Sequence, residues 1–127
     1  MISKTQNLKI AIILPYKENY SFEYASAASI WVAELFEKSK FKNNCFIYGN
    51  TKSKNYLTKN YRNISLKNLD SKLKSSTKEY SLKLIQEIND KKYDLIEIHN
   101  RPLILFNLIN KIECKFVFYF HNDPLSM

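Results

Sequence analysis

Glycine is nearly missing from this chain: Gly49 is the only one in 127 residues. Glycine-rich turns, which let backbone close on a phosphate, therefore cannot be built here, and the usual flavin and dinucleotide fingerprints are excluded with them. Cysteine occurs twice, as Cys45 and Cys114, each beside an apolar strand-like run and without the spacing of a metal site, so buried reduced thiols are expected. Arginine also occurs only twice, at Arg62 and Arg101. The net charge of +8 rests on scattered lysines, no zinc-finger, RNP-type or basic-zipper pattern is present, and nucleic acid is not the expected partner. Long apolar runs are missing as well. The N-terminal run Ile10 to Leu14 is too short for a signal-peptide core or a bilayer span, so a cytoplasmic location is expected.

What is present is ordinary globular composition, 45% hydrophobic and 25% charged, in a length that suits one domain over residues 1–127. Leu8 to Leu14 is apolar except for Lys9 and is stopped by Pro15, as a strand buried on both faces would be. From about Ser26 to Ser39, Ala28, Trp31, Val32, Leu35 and Phe36 recur at helical spacing, with Glu34 and Lys38 as an i,i+4 pair. Cys45 to Tyr48, closed by Gly49 and Asn50, reads as a second strand, and a weak third falls within Tyr56 to Leu66. Ser76 and Glu79 have capping-box spacing ahead of a helix whose apolar face is Tyr80, Leu84, Ile85 and Ile88. Tyr93 to Ile98 is β-rich, Pro102 suits the first turn of an apolar helix, and Lys115 to Phe120 reads as a central parallel strand. This alternation predicts an α/β fold: a Rossmann-like, doubly wound, mostly parallel sheet with helices on both faces.

The candidate chemistry lies at two histidines. His99 and His121 each follow a predicted strand directly, and each precedes an asparagine. A lone strand-end histidine is usually a hydrogen-bonded structural residue. Two in equivalent places argue instead for a shared crevice at the carboxyl ends of neighbouring strands, with Asn100, Arg101, Asn122 and Asp123 around them. After the first strand, Ala25 and Ser26 belong to a run of small residues that could offer backbone N–H groups at a helix N-terminus, although close packing explains small residues equally well. A single carboxylate at Asp123, without an acidic neighbour, is a poor divalent site, and no metal is expected. Lys38, Lys40, Lys42, Lys52 and Lys54 could hold the chain near acidic lipids, though a solvated face is the plainer reading.

His99-Asn100-Arg101-Pro102 after Asp94 to Ile98, then His121-Asn122-Asp123-Pro124, together with the first strand and the Trp31 to Leu35 helix, resembles the N-terminal domain of family 4 glycosyltransferases with the GT-B fold. The resemblance implies a retaining transferase that moves a sugar from a nucleotide-sugar donor to a lipid-linked, cell-envelope or other glycan acceptor. In that comparison His121 is the catalytic histidine beside the reacting sugar, and the loop of His99 lines the acceptor crevice. No separate cofactor is implied, since the nucleotide-sugar is a substrate held mainly by a C-terminal domain that these residues do not include. Relatives carry a glycine pair after the first strand, and this chain has none there.

Two other classes share parts of this pattern. A flavodoxin-like or receiver-like binding module has the same alternation of strands and helices, but a receiver needs an acidic cluster where this chain has Pro15-Tyr16-Lys17. A basic scaffold docking on RNA or membrane without chemistry would bind with steep salt dependence and be indifferent to His121.

Overall fold

The computed structural model describes residues 8–16, 18–66 and 76–120. Among them five strands and three α-helices alternate: β1 (Ile10–Ile13), α1 (Ala27–Lys38), β2 (Cys45–Gly49), β3 (Tyr61–Asn63), α2 (Ser76–Ile88), β4 (Leu95–His99), α3 (Pro102–Ile109) and β5 (Lys115–Tyr119). Every pairing is parallel, in the order β3-β2-β1-β4-β5. The expected Rossmann-like, doubly wound sheet is therefore present. Flavodoxin-like and receiver-like sheets run 2-1-3-4-5, so the observed order departs from that rival.

β1 forms because four consecutive apolar residues can be buried on both faces at once, Ile10 and Ile12 on one and Ala11 and Ile13 on the other. On the first face Ile10, Ile12, Leu14 and Ile47 meet Val32 and Phe36 of α1. On the second, Ala11, Ile13, Ile96 and Ile98 meet Tyr80, Leu84 and Ile88 of α2 with Ile104 and Leu108 of α3. Each large aliphatic side chain so buried contributes about 2 kcal/mol. The face predicted for α2 is thus the one buried, whereas Trp31 and Leu35 of the α1 repeat stay partly exposed. They lie toward β5, where that face of the sheet is not fully covered.

Gly49 owes its place to space and not to backbone freedom. A Cβ there would stand 2.7 Å from the Tyr61 hydroxyl. That hydroxyl is bonded to Thr51 and Asn63, and the Tyr61 ring lies stacked at 5.0 Å on Tyr20, so it cannot easily give way. Gly49 does not have positive φ; among the described residues five others do, Tyr24, Asn60, Lys92, Asn100 and Arg101.

Three expectations need correction. Among the described residues β5 stands at the edge of the sheet and not at its centre: it pairs there with β4 alone, and Lys115, Val117 and Phe120 are exposed. Its apolar sequence indicated burial but could not say on which side a neighbour would stand. His99 is the last residue of β4 and not the first beyond it. Cys45 is buried as expected, but Cys114, beside the open edge, is only half-buried; both thiols are free. No described helix is long and apolar enough to cross a membrane.

Candidate functional site

In a parallel sheet the loops at the carboxyl ends of the strands form the natural crevice, and it opens where the strand order reverses. Here the reversal lies between β1 and β4: the chain proceeds outward from β1 through β2 to β3, then returns to place β4 on the other side of β1. The residues after β1 and β4 therefore flank the crevice. They include Ala25 and Ser26 on one side and Asn100 and Arg101 on the other.

Alternation along β4 puts Leu95, Glu97 and His99 on the α1 face and Ile96 and Ile98 in the opposite core. His99 is 1% exposed. Its imidazole stacks on the Tyr119 ring at 4.8 Å and 10° and meets the Trp31 indole edge-on at 5.5 Å, while Trp31 and Tyr119 are 5.7 Å apart. The His99 Nε2 lies 3.8 Å from a Glu97 carboxylate oxygen, a charge contact when the imidazole is protonated. Two rings and a carboxylate thus hold His99 in one orientation. Burial first, and the Glu97 charge second, raise the Tyr119 phenol above its ordinary pKa of 10.0, so it stays a neutral hydroxyl at neutral pH. The His99 imidazole is covered by its neighbours and does not line the open crevice directly.

Beyond His99 the chain turns sharply. The Asn100 N–H donates to the Tyr119 carbonyl at 2.7 Å, extending the β4–β5 ladder by one bond. Asn100 and Arg101 then both take left-handed backbone, with φ of 56° and 58°. Asparagine tolerates this region and arginine does so poorly, at a cost on the order of 1 kcal/mol or more. The turn delivers Pro102 to the first position of α3, where a missing N–H costs nothing. It also leaves the Asn100 carboxamide oxygen buried with no hydrogen-bond donor among the described residues, and Arg101 exposed beside it.

Across the crevice Ser26 caps α1, its Oγ accepting from the Ser29 N–H at 3.1 Å. The same oxygen contacts the buried Ser29 hydroxyl at 3.0 Å. Ser26 thus serves the helix itself, and Ala25 is half-buried before it. Trp31, just over one turn farther along α1, connects this helix end to His99. His121, Asn122 and Asp123 lie outside the described residues, so the pairing of two imidazoles rests on the sequence pattern alone. Among the described residues no group of three His, Cys, Asp or Glu side chains gathers as a metal site would need.

Sequence reasoning missed Glu97, Tyr119 and Trp31 as partners of His99. Period-two alternation gave one usable signal, since Glu97 and His99 must share a face once β4 is placed. A groove of about 560 Å³ lies elsewhere, between the last turn of α1 and residues 56–60. A smaller one of about 330 Å³ runs beneath Leu35 and Phe36 to Glu97 and Tyr119 on the open flank of the sheet. The carboxyl edge is preferred as the candidate site because the strand order reverses there and the strained Asn100-Arg101 turn stands at it, whereas the 560 Å³ groove lies toward the other end of α1. Comparison with protein-family models, curated proteins and solved structures returns no match.

Proposed function

We propose that this chain is the acceptor-side domain of a retaining glycosyltransferase, in which a second domain holds the nucleotide-sugar donor and the reaction runs in the cleft between them. The observation that carries the reading is the β4–α3 turn. Two consecutive non-glycine residues stand in left-handed backbone at the reversal point of a 3-2-1-4-5 sheet, presenting a buried carboxamide oxygen and an exposed guanidinium. Strain of this kind is kept where a loop must hold functional groups in place.

In this reading Arg101 binds an anionic or hydroxyl-rich acceptor, Asn100 orients it, and His99 positions the turn from below through its contacts with Tyr119 and Trp31. Asn122, Asp123, Ala25 and Ser26 complete the binding wall. His121 accepts a hydrogen bond from a sugar hydroxyl as its neutral imidazole, a task that depends on geometry more than on a shifted pKa. The acceptor is a glycan, lipid-linked or part of the cell envelope, reached from the cytoplasm. The exposed lysines at positions 38, 40, 42, 52 and 54 would favour the anionic inner face of a membrane.

A single sheet edge leaves a bound donor open to water on one side, so its phosphates would not be held in a preorganised site. Residues 1–127 alone should therefore show no tight binding of a uridine- or guanosine-diphosphate hexose by calorimetry. Stoichiometric binding in the micromolar range or tighter would overturn the reading and make the chain a self-sufficient binding module.

A further inference from the structure

β5 leaves one side of its backbone open. The Tyr119 carbonyl accepts from the Asn100 N–H and so points toward β4, and alternation gives Lys115 and Val117 the same direction. The N–H and C=O groups of Phe116 and Phe118 therefore point the other way, where no strand stands among the described residues. Natural edges of this kind are blunted by proline, by a bulge or by charge within the strand. β5 has neither proline nor bulge, and its one charge, Lys115, is its first residue. The helix beside this edge is open on the same flank. Asn107 faces α2, its amide donating to the Ser81 hydroxyl at 3.0 Å. At about 100° per residue, Leu105 and Ile109 then lie on the opposite flank of α3, on the side of β5, with Phe106 on the crest. Ile109 is 47% exposed and Phe106 67%. An apolar helix flank thus continues the surface of an unpaired strand.

The sequence of β5 selects what covers it, because Phe116-Val117-Phe118 reads the same in both directions. Let a second copy of β5 run antiparallel with Val117 opposite Val117. Phe116 of each copy then faces Phe118 of the other, and these are the residues whose backbone groups point outward. Their rings lie on the α3 side of the sheet, where aromatic pairs across the junction are stabilising. Lys115 falls opposite the Tyr119 of the other copy, and the two Lys115 residues stay about 13 Å apart along the strands, beyond a Debye length at physiological salt. Along the paired strands no like charges stand opposite. The same two-fold sets the α3 helices antiparallel. Each packs on the β4–β5 side of its sheet, so strand spacing places their axes about 10 Å apart, the ordinary distance of packed helices. Leu105 and Ile109 of each face the other. A foreign strand would have to match the two rings and the lysine separately, whereas a copy of β5 matches them by symmetry.

We propose that two copies of this chain pair through β5, edge to edge and antiparallel about Val117, joining their sheets into one. Five strand residues a side and one helix flank are small beside the roughly 800 Å² per partner of a standard interface, so the dimer is a weak one, with a dissociation constant in the micromolar range. The two-fold sends the carboxyl edges of the copies in opposite directions. The crevice of each stays open, and the pairing does not depend on the transferase reading.

Sedimentation equilibrium of residues 1–127 from about 5 to 500 μM brackets that range, and the mass should rise to that of a dimer and no further. Val117→Lys should weaken the association about fivefold or more, because the two ammonium groups meet at the two-fold. In the single copy Val117 is 38% exposed and stands in register with Glu97, so the melting temperature should not fall. Crosslinking under mild oxidation, in a Cys114→Ala background that leaves only the buried Cys45, reads the register. Val117→Cys should give a disulfide-linked dimer, since directly opposed residues of a non-hydrogen-bonded pair lie about 4.5 Å apart at Cα. Lys115→Cys, about 13 Å from its copy, should not. A monomer throughout the range, association indifferent to Val117→Lys, or crosslinking at 115 as fast as at 117 would each overturn the pairing. Should Val117→Lys lower the melting temperature, the comparison of 117 with 115 decides alone.

Discussion

β1 and β5 are both short, apolar and parallel, yet β1 is hydrogen-bonded on both sides and buried along its length, while among the described residues β5 pairs with β4 alone and stays half open. The halves of the sheet around them differ in the same way. Around β1 and β2 both faces are filled, by α1 and the residue 51–61 loop on one side and by α2 on the other. Around β5, Trp31, Leu35, Val117 and Phe120 remain in contact with solvent. The candidate site lies between the two halves: His99 is anchored by β4 in the filled part and clasped by Tyr119 and Trp31 from the open part. Stability therefore belongs mainly to the β1 side, and the side chains on the β5 side are freer to serve binding.

The largest expected effect is on stability. Ile13→Ala, in the filled half, should cost about 3 kcal/mol, because it removes buried methyl groups and leaves a cavity that the surrounding core cannot close. Val117→Ala, at the half-open edge, should cost less than about 1 kcal/mol. Urea midpoints measure both, and similar losses would erase the distinction between the halves.

The two cysteines probe the same contrast more finely. Cys45 is buried on β2, and burial, with the Glu97 charge second, pushes its thiol from 9.0 up to about 12. Cys114 is half-buried beside β5, its thiol donating to the Tyr93 carbonyl at 3.2 Å. Iodoacetamide at pH 8 should label Cys114 in the native protein and reach Cys45 only through unfolding; mass spectrometry of timed samples would show the order. The shift at Cys45 also has a pH consequence. Between about pH 9 and 12 the native thiol keeps a proton that the unfolded chain has lost, so stability falls as pH rises through that window. Tyr20, raised to about 12 chiefly by burial, joins the decline only above about pH 10. Burial also raises the Cys114 thiol above 9.0, so with Cys114 already replaced by alanine, Cys45→Ala should delay the onset of the fall from pH 9 toward pH 10, and an unchanged onset would place its cause elsewhere.

The smallest effect concerns the turn between the halves. Arg101→Gly should relieve the left-handed strain and raise stability by about 0.5 kcal/mol, the relief being partly offset by the added freedom of glycine in the unfolded chain. A clear loss of stability would mean that the arginine side chain contributes contacts that outweigh its strained backbone.

Much of this architecture was legible in the residues. The β1 run, the Tyr80-Leu84-Ile88 face and the strand–helix alternation all report burial through period, and the parallel sheet follows from their order. What could not be read concerns neighbours. Lys115 to Phe120 announces an apolar strand, but no residue in it says whether a further strand lies alongside. Trp31 has the spacing of a core residue, and only the position of α1 over β4 turns it toward His99. The strained turn was hidden for a different reason: sequence reading looks for glycine where φ is positive, and here Tyr24, Asn100 and Arg101 occupy such positions while the one glycine serves close packing. The likeness of the two His-Asn pairs drew attention to the correct edge for His99, but gave no hint that its imidazole would be buried.

The most direct measurement is turnover by a two-domain enzyme carrying this domain, with a radiolabelled nucleotide-sugar donor and His121 replaced by alanine. Because His121 is assigned to orienting a reacting hydroxyl and not to core packing, turnover should fall by about 10²–10⁴-fold while circular dichroism and the melting temperature stay unchanged. His121→Ala turning over at the wild-type rate would remove the catalytic role proposed for this histidine.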